Sequence, residues 1–202
     1  MISTDESAFS KASDTRLRFE SYAKALGEAH FIVVGRDWHE TTTLEKGSII
    51  SAYGTWRIMA LFRAYKIGTA LKGIEIISAQ DPFEQGVVAW LIAKRLRAKL
   101  HIQIHTDIGS PYFKSGFKNK IRLALVKFIL PRASAIRAVS ERVKNTAVRE
   151  FGAPLHLVSV VPIKNAGELE SRETAKEIKE KYPHYDSLVL VVSRLQQEKN
   201  VG

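Results

Sequence analysis

The sequence predicts an α/β protein built on a Rossmann-like parallel sheet flanked by helices. Short runs rich in β-branched and aliphatic residues alternate with segments of helical length along the 202 residues, and this alternation is typical of strands joined by crossover helices. Hydrophobic residues make up 45% of the chain and charged residues 26%, which is the balance of a folded domain with a sizeable core rather than of a disordered chain.

The predicted strands and helices follow one another in regular order. The strands are Ile2–Ser3, His30–Gly35, Ile49–Ala52, Ile74–Ile77, Leu100–Ile104, Ala135–Val139 and Leu157–Val161. The helices are Thr15–Leu26, Trp56–Leu71, Phe83–Ala98, Gly116–Leu130 and Glu141–Phe151. We expect the first two helices to end near Gly27 and Gly73, because glycine readily adopts the backbone conformation that terminates a helix. Pro82 lies near the first turn of the third helix, where its missing N–H costs nothing.

The pattern changes after a first domain that we place at residues 1–165. A connection with a charged helix, Ser171–Lys181, is expected over residues 166–186, and the almost wholly apolar strand Ser187–Val192 begins a second domain at residues 187–202. A lone strand of the buried type has no second crossover to cover it. We therefore expect the sequence to be truncated within the second domain; the alternative is that this strand joins the first sheet.

Composition excludes several classes of function. The chain has no cysteine, which rules out disulfides, thiolate zinc sites and a cysteine nucleophile. The N-terminal stretch MISTDESAFSKASD lacks the basic start and apolar run of a secretory signal, and no apolar run is long enough for a transmembrane helix. We expect a cytoplasmic protein, either soluble or peripheral on the inner face of the membrane. The net charge of +10 favours polyanionic partners such as nucleic acid, anionic lipid surfaces or phosphorylated ligands.

Polar residues follow three of the predicted strands at their carboxyl ends, where open α/β sheets bind ligands. They are Gln80 and Asp81 after strand 74–77, His105 and Asp107 after strand 100–104, and Ser140 and Glu141 after strand 135–139. If these strands are neighbours in the sheet, the six side chains line one crevice. Asp81 and Ser140 each have a structural alternative, as the N-cap of the helix that follows.

His105 is the strongest of these candidates. Because side chains alternate along a strand, His101, Gln103 and His105 share one face, although a central parallel strand is normally apolar on both faces. A hydrogen-bonded core or an edge strand explains the first two polar residues. It explains His105 less well, since His105 stands at the strand exit beside a carboxylate.

No metal site and no cofactor are predicted. His101 and His105 form an H-x-x-x-H pair, but the rise of a strand holds the two side chains too far apart to chelate one ion. The H-E-x-x-H, D-x-D and G-x-S-x-G motifs are absent, as are the P-loop and the G-x-G-x-x-G fingerprint. An NAD enzyme or a nucleoside triphosphatase is therefore disfavoured.

Five motifs occur in order from about Ile77 to the end: ISAQDPFEQG, HIQIHTD, RASAIRAVSERV, VVPI and VSRLQQEKNVG. In this combination the sequence resembles the family 4 (group 1) retaining glycosyltransferases of the GT-B fold. The resemblance implies the N-terminal half of a GT-B architecture, truncated after its second domain begins. It also implies transfer of a hexosyl-type sugar, with retention and without a metal, from a nucleotide-sugar donor to a glycan or lipid-linked acceptor.

The resemblance implies roles for individual residues. Arg194 and Lys199 correspond to the basic pair that holds the donor diphosphate. His105 corresponds to the histidine that contacts the transferred sugar near the reaction centre, and His105 and Asp107 are the candidate catalytic residues. Asp107 and Asp81 become candidates for binding acceptor hydroxyls. The sequence departs from the family where segment 7–14 lacks the glycines of an acceptor loop, and where the second domain is missing. We therefore do not expect these 202 residues to turn over alone; a catalytically silent remnant is a further alternative.

Two segments are both apolar and basic. In GFKNKIRLALVKFIL, spacing of four places Phe117, Ile121, Leu125, Phe128 and Ile129 on one helix face. The first interpretation is a helix packed on the sheet with a solvated basic face, and the same holds for Trp56–Leu71. The alternative is contact with anionic lipid headgroups. No nucleic-acid partner is predicted, because aromatic residues do not interleave with the cations. A non-catalytic basic module that binds a polyanion remains the alternative function.

Overall fold

The computed structural model describes residues 1–162 and 180–184. The chain divides into two compact units, Met1–Pro162 and Ile163–Gly202. Three sequence predictions fall almost entirely outside the described residues: the helix over 171–181, the strand over 187–192, and the donor-site pair Arg194 and Lys199.

The first unit contains eight strands and six α-helices within the described part of the chain. The strands are β1 (Ile2–Ser3), β2 (Ala29–Gly35), β3 (Thr42–Leu44), β4 (Gly47–Tyr53), β5 (Ile76–Ala79), β6 (Lys99–Ile104), β7 (Ala135–Ala138) and β8 (Val158–Val160). The helices are α1 (Asp14–Leu26), α2 (Arg57–Ala70), α3 (Glu84–Leu96), α4 (Pro111–Ser115), α5 (Phe117–Ile129) and α6 (Glu141–Phe151). Short 3-10 turns occupy Glu6–Phe9, Leu130–Arg132 and Leu155–Leu157.

The strands form one sheet in the order β3-β4-β2-β1-β5-β6-β7-β8. All neighbours are parallel except β3, which pairs antiparallel with β4. The predicted parallel Rossmann-like sheet is confirmed. Strand order reverses direction at β1, where Ile2 pairs with Ile32 of β2 on one side and with Ala79 of β5 on the other. In open α/β sheets, ligands bind beyond the carboxyl ends of the strands at such a switch point.

Helices α2, α3, α5 and α6 cover one face of the sheet and share its main hydrophobic core. Ile102, Ile104 and Ile136 are fully buried there. A Cβ added to Gly68 of α2 would lie 2.5 Å from the Cδ1 of Ile92 in α3. Glycine therefore lets the two helices approach closely.

A second, smaller core lies on the opposite face under α1. Phe19 of α1 stacks on Phe31 of β2 with ring centroids 4.1 Å apart, and Val33 and Ile49 are buried beside them. Further along this face, β5, β6 and β7 carry Ser78, His101, Gln103 and Arg137, which hydrogen-bond to one another. The face thus changes from apolar to polar across the switch point.

Several local predictions need correction. The strand expected over 74–77 lies two residues later, so Ser78 and Ala79 belong to it and Gln80 follows it directly. Asp81 is not the N-cap of α3, because Phe83 takes that position and Pro82 precedes it. The antiparallel strand β3 and the short helix α4 were not predicted, because three and five residues are too few for a clear period.

The predicted packing face of α5 is wrong. Val126 and Ile129 are buried, but Phe117 is 78% exposed and Ile121 is 53% exposed. Each step of four residues advances about 40° beyond a full helical turn, so the stripe from Phe117 to Ile129 winds roughly a third of the way around the helix. Only its C-terminal end meets the sheet.

Candidate functional site

Gln80 lies at the switch point itself. Its backbone N–H donates to the carbonyl of Ile2 at 3.1 Å, and the buried hydroxyl of Ser3 donates to its side-chain Oε1 at 2.6 Å. The end of β5 is thereby joined to the end of β1. These bonds orient Gln80 at the position where the sequence placed a cleft residue.

Asp81 follows Gln80 at the same edge and carries an unusual carboxyl group. Burial raises the pKa of Asp81 to about 6; nearby Arg122 opposes this shift, Glu84 adds to it, and Arg57 opposes it. None of the hydrogen bonds within the described residues involves its carboxylate. A largely buried acid that lacks a dedicated partner destabilises the fold when ionised. This is typical of a functional position.

Glu84, three residues later, is paired with two arginines instead, although its buried Oε2 receives no hydrogen bond from any residue that the structure describes. The Nε of Arg122 donates to its Oε1 at 3.0 Å, and the guanidinium of Arg57 lies 3.5 Å from its Oε2. Although burial acts in the opposite direction, the hydrogen bond from Arg122 and both positive charges lower the pKa of Glu84. Glu84 thus joins the N-terminal ends of α2 and α3 to the middle of α5, and Asp81 is the carboxyl left for a ligand.

His105 ends a hydrogen-bonded ladder on the polar face of β6. Its Nε2 lies 3.2 Å from the Oε1 of Gln103, while the Nε2 of Gln103 donates to the hydroxyl of Ser78 at 3.2 Å. That hydroxyl lies 2.9 Å from the Nδ1 of His101. The prediction that His101, Gln103 and His105 share one face is confirmed.

The ladder fixes the tautomer of His105. Since Gln103 Oε1 can only accept a hydrogen bond, the Nε2 of His105 carries the proton, and its Nδ1 keeps a free lone pair. Burial lowers the pKa of His105, as do the charges of Arg137 and Arg18. The ring is neutral near pH 7 and offers an acceptor nitrogen at the strand exit.

Arg137 was missed by the sequence analysis. Its NH1 donates to Gln103 Oε1 at 3.2 Å, while its Nε and NH2 donate to the carbonyls of Val161 and Pro162 at 3.1 and 3.2 Å. One guanidinium on β7 therefore binds both β6 and the segment that follows β8. A signal was available, because a charged residue interrupts the short strand AIRA opposite Gln103.

The remaining predicted residues have structural partners. Asp107 Oδ2 lies 2.7 Å from the guanidinium of Arg142, and its Oδ1 accepts from the Gly109 backbone N–H at 3.2 Å. The Ser140 hydroxyl accepts from the backbone N–H of Val143, so its predicted role as an N-cap is confirmed. Glu141 is exposed and 3.6 Å from Lys144. Asp81, His105 and Asp107 thus lie along one edge, but no hydrogen bond or ion pair among the described residues joins any two of them.

The loop after β1 is closed by its own residues. Asp5 accepts from the Ser7 and Thr15 hydroxyls, each at 2.6 Å. The carboxylate of Glu6 lies against Gly35, where an added Cβ would come within 2.3 Å of it. Glycine at the end of β2 therefore leaves room for Glu6, in the region where the resemblance led us to expect a glycine-rich acceptor loop.

Two further observations concern the described residues alone. No three His, Asp or Glu side chains among them come together as a metal site requires. None of their helices is both long enough and apolar enough to cross a bilayer.

Comparison with solved structures identifies the architecture. The chain aligns with Anabaena Alr3699/HepE in complex with UDP and glucose, at 14% identity and a TM-score of 0.54, over 89% of this chain and 49% of HepE. HepE in complex with UDP-glucose gives 14% identity and a TM-score of 0.55, over 89% and 48%. The chain thus spans about half the length of HepE.

A sucrose-phosphate synthase structure (tll1590) from Thermosynechococcus elongatus also matches, at 16% identity and a TM-score of 0.53, over 83% of this chain and 92% of that chain. At such identities the likeness shows the fold, a Rossmann-like half of the GT-B kind. No curated protein sequence matches significantly. The family model described as Glycosyltransferase Family 4 matches residues 20–163, which is most of the chain. The chain belongs to Glycosyltransferase Family 4.

Proposed function

We propose that this chain forms the acceptor side of a retaining glycosyltransferase that moves a hexosyl-type sugar from a nucleotide-sugar donor to a glycan or lipid-linked acceptor. The observation that carries the proposal is the position of Gln80 and Asp81 at the switch point, with His105 at the next strand exit. Ligands of open α/β sheets bind at this place. The same proposal includes a cytoplasmic location.

The carboxyl edge offers the groups that recognise sugar hydroxyls. With a pKa of about 6, Asp81 is mostly ionised near pH 7 and accepts hydrogen bonds from hydroxyl groups. Gln80 supplies an amide held in place by Ser3. A hydroxyl that donates to Asp81 provides the partner that this buried carboxylate lacks, so binding removes a penalty that the free protein carries.

His105 is proposed to contact the transferred sugar near the reacting carbon. Its free Nδ1 can accept a hydrogen bond from one sugar hydroxyl, and the bond from Nε2 to Gln103 fixes the ring plane. A neutral imidazole does not repel the positive charge that develops on a sugar losing its leaving group. The low pKa of His105 therefore suits this position.

Asp107 is proposed as a further acceptor-side ligand. Its partner Arg142 has a side chain that is 72% exposed, and exposed ion pairs stabilise a fold little. A sugar hydroxyl can therefore replace Arg142 at Oδ2 while Oδ1 keeps its bond to the Gly109 N–H. Ser140 and Glu141 border the same edge, and we propose no direct chemistry for either.

Arg194 and Lys199 are proposed to hold the donor diphosphate. HepE binds UDP-glucose, and we extend a nucleotide-sugar donor to this chain as part of the proposal. As the sugar leaves, negative charge builds on the departing phosphate, so cations aimed there stabilise the transition state more than the ground state. The proposal therefore includes no metal, since the two cations would carry out this task.

The test is glycosyl transfer by the natural protein, with whatever sequence adjoins these 202 residues. We expect Arg194→Ala and Lys199→Ala each to lower kcat on the order of 100-fold, and the exposed-site control Arg149→Ala to leave it unchanged. Near-wild-type turnover in both variants would reject the donor-site assignment. The anomeric configuration of the first-formed product, followed by NMR, checks retention.

A further inference from the structure

The positive charge of the protein is concentrated in two segments that contain no acidic residue. Residues 55–73 carry four basic residues, and residues 109–140 carry seven. The rest of the chain has 20 basic against 21 acidic residues, so these two segments account for the whole net charge of +10. A charge of one sign confined to two segments indicates a surface rather than a general property of the protein.

The same two segments expose large apolar side chains at the start of their helices. Trp56, Ile58 and Phe117 are 71%, 75% and 78% exposed. Met59, Phe62, Tyr112 and Ile121 are also exposed. Single exposed apolar residues are ordinary on a protein surface, but a group of them marks an interaction site.

The structure brings the starts of the two segments, with four of their eleven basic residues, to one edge of the sheet. Helix α2 starts after β4 and α5 starts after β6, so both helices begin at the carboxyl edge of the sheet. Glu84 lies between them and contacts Arg57 of α2 and Arg122 of α5. We call this surface the basic apolar rim; it consists of Trp56, Ile58, Met59, Phe62, Tyr112, Phe117 and Ile121 with Arg57, Lys118, Lys120 and Arg122.

We propose that the basic apolar rim docks on a lipid bilayer that contains anionic lipids. Exposed aromatic and aliphatic side chains beside Lys and Arg form the combination that inserts shallowly between headgroups while pairing with their charge. A polyanion in water matches the charge but gives no role to Ile58 and Met59. A second copy of the chain is disfavoured, because like charges would meet across the contact.

The rim also explains the exposed end of α5. Phe117 and Ile121 face away from the sheet although they look like core residues in sequence, and a bilayer supplies the apolar surroundings that they lack in the monomer. Asp81 lies beside this surface, since Arg57 and Arg122 both act on its charge. If the proposed function holds, docking brings the acceptor site to the headgroups of a lipid-linked acceptor.

Vesicle flotation of the full chain tests the cationic part. We expect binding to mixed vesicles of phosphatidylcholine and phosphatidylglycerol, and little binding to phosphatidylcholine alone. Lys118→Gln with Lys120→Gln should weaken binding at least tenfold, from a factor of about five for each cation. The control Lys46→Gln with Lys99→Gln removes the same charge at the amino edge and should change binding much less. Equal losses in both double variants would overturn the proposal.

Apolar variants separate a bilayer from a polyanion. Ile58→Ser with Phe117→Ser should weaken vesicle binding but leave heparin binding unchanged, and Leu26→Ser, at a site 73% exposed on α1, is the control. Equal thermal midpoints verify that the variants fold. If the apolar substitutions do not change vesicle binding and heparin competes with it, the partner is a polyanion and the bilayer proposal is rejected. If light scattering shows dimers that the rim substitutions abolish, the partner is a second copy of the chain and the bilayer proposal is rejected.

The two proposals fail separately. Vesicle binding by the chain requires neither donor nor turnover, so its loss leaves the transfer proposal standing if a soluble acceptor is still glycosylated. Conversely, if the chain binds anionic vesicles as expected but the natural protein transfers no sugar, the transfer proposal is rejected and the docking proposal stands.

Discussion

At the scale of single residues, Asp81 shows how a ligand site can oppose stability. Its carboxyl is largely buried and receives no hydrogen bond from the described residues, whereas Glu84 nearby is held by two arginines. The sequence identified Asp81 by its place after a strand but could not rank it above Glu84. The ranking depends on which side chain Arg122 reaches, and that is a tertiary contact.

Replacing Asp81 by asparagine should stabilise the fold near neutral pH and reduce activity. The ordinary pKa of 3.8 is raised to about 6, so ionisation weakens folding progressively from pH 4 to pH 6 and by a constant amount above. The amide of the variant never ionises. We expect a gain on the order of 3 kcal/mol near neutral pH and none below about pH 4.

Urea denaturation at several pH values measures the effect of D81N, with D37N at an exposed loop as the control. A gain that is the same at every pH contradicts the assignment, because it cannot come from the titration of Asp81.

Arg137→Met should raise the pKa values of both His101 and His105. The guanidinium charge helps to lower both. Its removal also takes the Arg137 donor from two backbone carbonyls and from Gln103 Oε1, which keeps only its bond to His105. We expect a loss of stability of roughly 1–3 kcal/mol. NMR titration of the imidazole signals checks the pKa change, and Arg149→Met is the matched exposed control. Unchanged histidine titration would exclude the electrostatic link.

At the scale of elements, helices were predicted better than the faces they bury. The bounds of α1 and α6 differ from the sequence prediction by one residue or less. Both helices have capping residues that are recognisable in the local sequence: Ser13 and Ser140 at their N-termini, and Gly27 and Gly152 at their C-termini. The exposed end of α5 could not be predicted. The orientation of that helix is set by its contacts with α3 and by the turn at Gly116, and neither leaves a periodic signal.

Ser140→Ala should destabilise α6 by about 1 kcal/mol. The Ser140 hydroxyl accepts from the Val143 N–H at 3.3 Å, and alanine leaves that donor without a protein partner. Ser140→Thr keeps a hydroxyl and should retain most of the stability in thermal unfolding. If glycosyl transfer falls in S140T while stability is kept, Ser140 has a part in the cleft as well.

Gly47→Ala should be far more damaging than Gly73→Ala. Both glycines have positive φ, +132° and +69°, so each substitution strains the backbone. A Cβ at position 47 would also lie 1.8 Å from the carbonyl oxygen of Ala29, whereas nothing lies within 4 Å at position 73. We expect about 1–2 kcal/mol of destabilisation for G73A and at least roughly twice that for G47A. Similar unfolding midpoints in the two variants would contradict the β2–β4 register.

At the scale of the whole molecule, the sequence predicted the class of sheet but not the order of its strands. Alternating patterns reveal parallel strands, and right-handed crossovers restrict their arrangement. Nothing local shows that β5 pairs with the two-residue β1 rather than with β4. That choice rests on the pairing of Ile2 with Ala79, and it creates the switch point that holds Gln80.

The first unit should fold without the second. A shortened chain ending at Pro162 keeps both cores and the three partners of Arg137, so we expect it to unfold cooperatively. A chain ending at Val160 lacks the carbonyls of Val161 and Pro162 and should lose about 1–3 kcal/mol. Calorimetry of the two shortened chains makes the comparison. Non-cooperative melting of the longer one would show that the units depend on each other.

The edge strands of the sheet affect how readily the protein aggregates at high concentration. Within residues 1–162, its outermost strands are β3 and β8, which have only three residues each, and Glu45 and Lys46 follow β3 directly. Short borders flanked by charge give another chain little backbone to pair with. The sheet is therefore protected against growth into fibrils, and concentrated samples should fail first through unfolding rather than through edge-to-edge polymerisation.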